Sequence, residues 1–218
     1  MSKRPTTVAA AFLAAAIALL LTACGGGSGS KDEDKIAGAG TDTSRSASPS
    51  TSPSDDGIDR PTVELPEGDE LVFTPEESGE AKADAVMRDN AEYLRAIDEA
   101  IGDQDPKSKA VAFYSKGSAY LGSVDWIAGF VKDGTTVTGT VRFFDRKVTF
   151  SEDGSAGLTY CSDESKGYTK DVKTQKTNVT KASKDSYVLY NDRLRKSDQG
   201  VWQTTKSISK RGSEVCQP

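Results

Sequence analysis

The sequence predicts an α+β domain in which N-terminal helices pack on a curved antiparallel sheet. Two observations carry this prediction. Apolar residues recur with helical spacing between residues 80 and 132, and from Thr135 onward they alternate with polar residues as they do in strands. Helices followed by a run of strands favour an α+β fold, because the apolar stripe of each helix must be buried against the apolar face of the sheet.

Three helices are predicted in the first half of the domain. The first, residues 80–101, places its large apolar residues near one face. These residues are Val86, Tyr93, Leu94, Ile97 and Ile101. Asp105 and Pro106 have the pattern of an N-cap and first helical position, so a short second helix should start there. The third helix covers residues 118–132, and Gly134 is the type of residue that ends a helix.

The sequence of the second half of the domain predicts a series of short antiparallel strands. Alternation of apolar and polar residues is found over residues 137–150, 156–160, 187–194 and 201–208. Turns are predicted where glycine and polar residues interrupt this pattern, at residues 152–154, 166–167 and 197–200.

The N-terminus has the organisation of an export signal. Lys3 and Arg4 precede an apolar run over residues 8–21, and residues 21–24 read Leu-Thr-Ala-Cys. This ending resembles the bacterial lipobox, which implies that residues 1–23 are removed as a signal peptide and that Cys24 carries a diacylglyceryl group. An uncleaved membrane anchor is the alternative, but the apolar run is shorter than the roughly 20 residues that span a bilayer. We therefore expect a lipid-anchored protein on the extracytoplasmic face of a bacterial cell membrane.

A linker separates this signal from the domain. Residues 24–60 are rich in glycine, serine and proline and contain only two large apolar residues, Ile36 and Ile58, so a disordered tether is predicted. A chain of this length and composition has a root-mean-square reach on the order of 30 Å. Residues 61–78 form a transitional segment that could add a short strand, and residues 79–218 are expected to form the domain.

The domain resembles a known family in a few places. After the helices, residues 159–165 read Thr-Tyr-Cys-Ser-Asp-Glu-Ser, residues 200–202 read Gly-Val-Trp, and Cys216 lies near the end. In this it is similar to small secreted actinobacterial lipoproteins with a cone-shaped, nuclear-transport-factor-two-like fold. The resemblance implies helices that close the mouth of a bent sheet, often around a cavity. It implies no particular activity.

The three cysteines fall into two groups, Cys24 near the N-terminus and the pair Cys161 and Cys216 in the domain. If Cys24 carries lipid, Cys161 and Cys216 remain as an even pair in an exported, oxidising context, which predicts a disulfide between them. The alternative is two free thiols.

Composition excludes several classes of function. The formal net charge is −5, which provides no general electrostatic attraction for nucleic acid. The chain has no histidine, so Ser-His-Asp and Cys-His catalysis and histidine metal ligation are excluded. Asp163, Glu164 and Asp171 fit no calcium-loop spacing and are expected at a solvated hairpin end. We therefore assign no catalytic residue, cofactor or metal ligand.

Six residues are candidates for the lining of a cavity inside the cone. They are Tyr120, Asp125, Trp126, Phe130, Phe143 and Tyr160. Aromatic walls with a few polar groups are typical of sites for apolar small molecules. The alternative is that these aromatic residues are ordinary core residues and that Asp125 faces water. The lysine-rich residues 166–184 could contact anionic wall polymers or lipid headgroups, but a solvated hairpin is the simpler expectation.

Two functions follow from these patterns. The first is a non-catalytic binding or scaffolding module at the cell envelope, whose partner would be an envelope protein or a wall polymer. The second is a carrier of an apolar small molecule, or a histidine-independent enzyme, that uses the cone cavity. An empty apolar interior with one or two acids would favour the second function, and a filled interior would leave only surface binding.

Overall fold

A computed structural model describes residues 56–218. The predicted signal peptide, Cys24 and residues 25–55 of the predicted tether lie outside the described residues. The helices are α1, Ala81–Gly102; α2, Lys109–Tyr114; and α3, Gly117–Asp133. The strands are β1, Asp69–Phe73; β2, Thr135–Phe150; β3, Ala156–Asp171; β4, Thr177–Asn178; β5, Tyr187–Lys196; and β6, Trp202–Arg211. Two 3₁₀ turns occupy Lys184–Ser186 and Glu214–Cys216.

The strands form one sheet in the order β1-β2-β3-β5-β6, with β4 paired to β3. Neighbouring strands from β2 to β6 are antiparallel, as predicted, whereas β1 runs parallel to β2 with Leu71 beside Val141. The predicted α+β class, with helices on one face of a curved sheet, is therefore confirmed. The transitional segment at residues 61–78 supplies the parallel edge strand.

Two apolar clusters hold the helices to the sheet. The first lies between α1 and the face of the sheet that includes Leu158, Tyr160 and Leu194, which we call the inner face. The second lies among the three helices, where Tyr93 and Ile101 of α1 join Val111, Tyr114 and Ile127. The opposite side of the sheet, which we call the outer face, carries the alternate residues of each strand.

The glycine at position 167 lies in a strand rather than in the predicted turn. Strand β3 continues to Asp171, and Gly167 is paired with Gly139 of β2. A Cβ atom on Gly139 would lie only 2.2 Å from the Lys166 carbonyl oxygen, and Gly139 has φ 95°. The two glycines thus allow the strands to approach closely, which is another common reason for glycine in a strand.

The start of α2 also differs from the prediction. The helix begins at Lys109, and Ser108 is the N-cap, accepting a hydrogen bond from the Val111 N–H. Asp105 instead accepts from the Lys107 N–H at 2.9 Å in the preceding turn. At the end of α3, Gly134 adopts the left-handed conformation with φ 64°, as predicted for a helix-ending glycine.

Both ends of the described chain are held to the domain. Near the start, Asp56 and Arg60 form an ion pair at 2.7 Å, and Arg60 also contacts the buried carboxylate of Asp89 at 3.1 Å. At the other end, Cys161 of β3 and Cys216 are joined by a disulfide with 5.5 Å between their Cα atoms. Order therefore begins before residue 61, because Arg60 and Ile58 pack on the helices.

Candidate functional site

A polar cluster lies between α1 and the inner face of the sheet. Asp192 Oδ2 accepts hydrogen bonds from the Asn90 amide and from the Tyr160 hydroxyl, each at 3.0 Å. The Tyr160 ring stacks on Tyr190 with 5.0 Å between ring centroids. All three members of the hydrogen-bonded cluster are buried, and Asp192 is only 4% exposed. We call Asn90, Tyr160 and Asp192 the interior triad.

Burial dominates the electrostatics of the interior triad. It raises the pKa of Asp192 to about 6, although hydrogen bonds from Ser207, Tyr160 and Asn90 oppose the shift. The pKa of Tyr160 is raised well above its usual value by burial and by the nearby Asp192. An acid and a phenol at hydrogen-bonding distance can exchange a proton, but these groups are covered by α1 and by their neighbours on the sheet.

Two oxygen atoms of the interior triad accept no hydrogen bond of normal geometry. They are Asn90 Oδ1 and Asp192 Oδ1, both of them inaccessible to solvent. Unpaired buried acceptors are costly, and a small ligand or water with hydrogen-bond donors would satisfy them. They are the feature of the interior that most favours a bound molecule.

A second pair of acids joins β1 to α1. The side chain of Asp69, the first residue of β1, lies next to that of Asp98 of α1. Burial raises the pKa of Asp69 to about 6. Burial, repulsion by Asp69 and the proximity of Glu164 raise the pKa of Asp98 as well. Two such carboxyl groups are most stable when they share one proton.

The six predicted cavity residues do not surround one space. Phe143 and Tyr160 are buried in the first apolar cluster, and Tyr120 and Phe130 are half-buried against the second. Asp125 is exposed and Trp126 is 57% exposed, so their assignment to a cavity wall is wrong. The helical register of α3 turns Ser123 and Ile127 inward and leaves Asp125 and Trp126 on the solvent side.

The interior triad was missed, although a signal for it exists. Asn90 lies on the apolar side of α1, since Val86, Met87 and Tyr93 around it are buried at helical spacing. Asp192 lies on the same face of β5 as Tyr190 and Leu194, which belong to the inner face of the sheet. In each case, a polar residue at a position where the pattern expects an apolar one predicts a buried polar group.

Two open grooves lie on the surface of the described residues. One, of about 440 Å³, lies beside α2, α3 and β6, where Tyr120 and Gln203 are among its lining residues. Another, of about 470 Å³, lies between the segment before β1 and the end of β3, where Glu64, Glu99 and Lys170 contribute. Neither groove reaches the interior triad.

The predicted oxygen cluster is divided among separate contacts. Asp163 accepts from the Ser165 N–H, Glu164 pairs with Arg211 at 2.7 Å, and Asp171 accepts from the backbone of the turn after β3. Within residues 56–218, no group of three or more acids or cysteines is arranged to hold a metal ion. In the same range, no helix is long and apolar enough to cross a bilayer.

The lysines of residues 166–184 lie at the end of β3, in the turn before β4 and in the segment that follows β4. Lys166, Lys173 and Lys176 are exposed, and Lys170 donates to the Glu67 carbonyl at 3.3 Å. This surface is a solvated hairpin end, which agrees with the simpler expectation from the sequence.

A basic cluster occupies the outer face of the sheet. Arg193 and Arg195 project from β5 and both contact Asp153 Oδ2, at 2.5 and 2.7 Å. Lys206 is the register partner of Arg193 on β6, and Lys147 lies one row away across Thr159 and Asn191. All four cations are exposed. We call Lys147, Arg193, Arg195 and Lys206 the outer basic patch.

No family model and no curated protein matches the chain. Solved structures similar to it include the intermembrane space region of the chloroplast protein ARC6, at 14% identity and TM-score 0.37, covering 59% of this chain and 96% of that one. The protein Aln2 from a Streptomyces species has 15% identity and TM-score 0.39, covering 60% and 90%. A ketosteroid isomerase-like protein from Erwinia carotovora atroseptica has 16% identity and TM-score 0.38, covering 61% and 98%.

Proposed function

We propose that this protein is a lipid-anchored, extracytoplasmic binding module that acts through its outer surface rather than through a catalytic interior. The observation that carries the proposal is the burial of the interior polar groups. Asn90, Tyr160 and Asp192 are covered, and the apolar residues around them pack against one another. A substrate would need α1 to move away from the sheet before it could reach Asp192.

The placement at a membrane rests on the first 24 residues. The positive start, the apolar run and Leu-Thr-Ala-Cys together favour lipidation of Cys24, and the low-complexity segment after it favours a tether. Two acyl chains on one residue would hold the protein at the membrane, since one chain alone binds only marginally.

Fractionation of cells tests the anchoring. Wild-type protein should be found in the membrane fraction after a high-salt wash and should incorporate a labelled fatty acid, whereas the Cys24→Ala variant should do neither. The variant should retain the same thermal stability, because Cys24 lies outside the domain. Membrane retention of the variant together with an uncleaved N-terminus would instead indicate a transmembrane anchor.

The unpaired oxygens of Asn90 and Asp192 favour a second candidate, the small-molecule carrier or histidine-independent enzyme. A thermal-shift screen with lipids, quinones and other apolar molecules separates the two functions. For a surface binding module, no ligand should raise the melting temperature through the interior. A ligand that stabilises wild type but not the Asp192→Asn or Tyr160→Phe variant would overturn the first proposal and support the second.

A further inference from the structure

We infer that the outer face of the sheet is a docking surface for a membrane that contains anionic phospholipids. The inference deepens the proposed function and rests on it, because it assumes that the tether holds the domain close to a bilayer. Its basis is the arrangement of charge and apolar surface on β5, β6 and the neighbouring part of β2.

Charge is the first argument. The chain as a whole is acidic, with a formal net charge of −5, so attraction to an anionic surface requires a local excess of cations. The outer basic patch provides this excess in two adjacent rows of the sheet. Arg193 and Lys206 are paired in one row, and Lys147 lies in the next row, which runs through Thr159 and Asn191.

An exposed apolar side chain favours a lipid surface over a soluble polyanion. Ile208 is the register partner of Asn191, so it lies on the same face, at the end of the row that contains Lys147 and one row from Lys206, and it is 53% exposed. Val215, in the turn joined by the disulfide to β3, is also exposed. Basic residues around protruding apolar side chains are typical of proteins that bind at the headgroup region, where the apolar groups reach the acyl boundary.

The acidic residues near the outer face lie at its ends, so the centre of this face remains basic. Asp153 lies in the turn between β2 and β3 and is shared by Arg193 and Arg195, so it orients the two guanidinium groups. Asp163 and Glu214 lie toward the disulfide end, away from Arg193. A tether with a reach on the order of 30 Å leaves the domain free to turn this face toward the bilayer that holds it.

Vesicle binding without the lipid anchor tests the inference independently of Cys24. The protein would be residues 24–218 with Cys24→Ser, which retains every described residue. We expect it to sediment with vesicles that contain phosphatidylglycerol and not with pure phosphatidylcholine vesicles, and to dissociate as salt is raised. Binding to neither type of vesicle would overturn the inference, whatever the fractionation experiment shows.

A matched pair of triple variants locates the surface. Arg193→Gln, Arg195→Gln and Lys206→Gln together should weaken vesicle binding by roughly one hundredfold, since each basic side chain near an anionic leaflet contributes about fivefold. The control removes the same number of positive charges at another site, by Lys166→Gln, Lys173→Gln and Lys176→Gln. Its vesicle affinity should stay within a few-fold of that of wild type. Equal loss in both triples would show a simple dependence on net charge and would overturn the inference.

Three single variants complete the test. Ile208→Ser should weaken binding several-fold in a salt-independent way, because it removes apolar contact, and Lys206→Gln alone should cost about fivefold if the triple variant does not fold. Trp126→Ser, on the exposed side of α3, should bind as wild type does. Loss of binding in Trp126→Ser but not in Ile208→Ser would place the membrane contact on α3 and overturn the inference. Equal binding to a soluble polyanion, unaffected by Ile208→Ser, would overturn it as well.

Discussion

The Asn90 amide on α1 donates to the Asp192 carboxylate on β5 across 3.0 Å, although 102 residues separate them in the sequence. This hydrogen bond crosses the first apolar cluster and links the long helix to the middle of the sheet. It places one acid among apolar side chains, and the stability of the fold therefore depends on the charge of Asp192.

Asp192→Asn should remove part of the dependence of stability on pH. Because burial raises the pKa of Asp192 to about 6, the folded state binds the proton more tightly than the unfolded state. The resulting stabilisation is fully present below the unfolded pKa of about 4 and is lost as pH rises through about 6. A shift of this size corresponds to about 3 kcal/mol.

Urea denaturation between about pH 4 and pH 7 measures this effect. The free energy of unfolding of Asp192→Asn should fall less with rising pH than that of wild type, and the variant should be at least as stable near neutrality. Asp125→Asn, an identical change on the exposed side of α3, should retain the wild-type profile. Parallel profiles for wild type and Asp192→Asn would contradict the prediction.

Asp98→Asn should stabilise the protein near neutral pH. Burial raises the pKa of both Asp69 and Asp98, and repulsion by Asp69 raises that of Asp98 further, so the pair stabilises the fold at low pH and loses that contribution as pH rises through about 6. An amide at position 98 removes the repulsion and retains a hydrogen-bond donor for Asp69. Thermal melts at several pH values check this.

The reciprocal change provides the control for the acid pair. Asp69→Asn should have a similar effect, and the two substitutions together should stabilise by less than their sum, because both remove the same repulsion. Additive gains would show that the two carboxyl groups act independently.

Asp89→Ala should destabilise the domain by about 3 kcal/mol. Asp89 is fully buried, and its Oδ2 atom accepts from the Trp202 N–H at 2.8 Å while Oδ1 contacts Arg60 at 3.1 Å. Removing the carboxylate leaves a buried N–H and a half-covered guanidinium without this partner. The free energy of unfolding in urea gives the measurement, with Asp125→Ala as a surface control expected to change it by less than about 0.5 kcal/mol. Equal stability of both variants would exclude this role for Asp89.

Loss of the disulfide should lower the free energy of unfolding by about 4 kcal/mol, from the entropy of the loop that it closes. The cysteines are separated by 55 residues. The double variant Cys161→Ala and Cys216→Ala should show this loss in the absence of reductant, and wild type should show it only when reductant is added. If reductant lowers the stability of the double variant equally, the effect does not come from the disulfide.

Much of the fold follows from local patterns in the sequence. The switch in apolar period at Thr135 separates helices from strands, and Gly134 ends α3 as expected, because only the backbone conformation and the local burial pattern decide these features. The turn predicted at Gly167 is wrong, since the role of this glycine depends on the approach of Gly139 from another strand, which no local pattern reveals.

The site was harder to predict for a similar physical reason. Asp125 and Trp126 are residue types that suit a cavity wall, but the register of α3 places them in solvent. Asp192 and Asn90 lie in apolar registers, and their importance follows from a contact between distant segments. Likewise, the outer basic patch requires the pairing of β5 with β6, which brings Lys206 beside Arg193.

The contact of Arg60 with Asp89 would have a mechanical consequence in the tethered protein that we propose. Any tension transmitted from the chain before Asp56 arrives first at a group of ion pairs rather than at a strand. Asp89 belongs to α1, so a force on its side chain acts on that helix. Its carboxylate also accepts the Trp202 N–H, so the force acts on β6 as well. A pull on the proposed tether would thus be shared by helix α1 and the edge strand β6, while the disulfide holds the far end of the chain to β3.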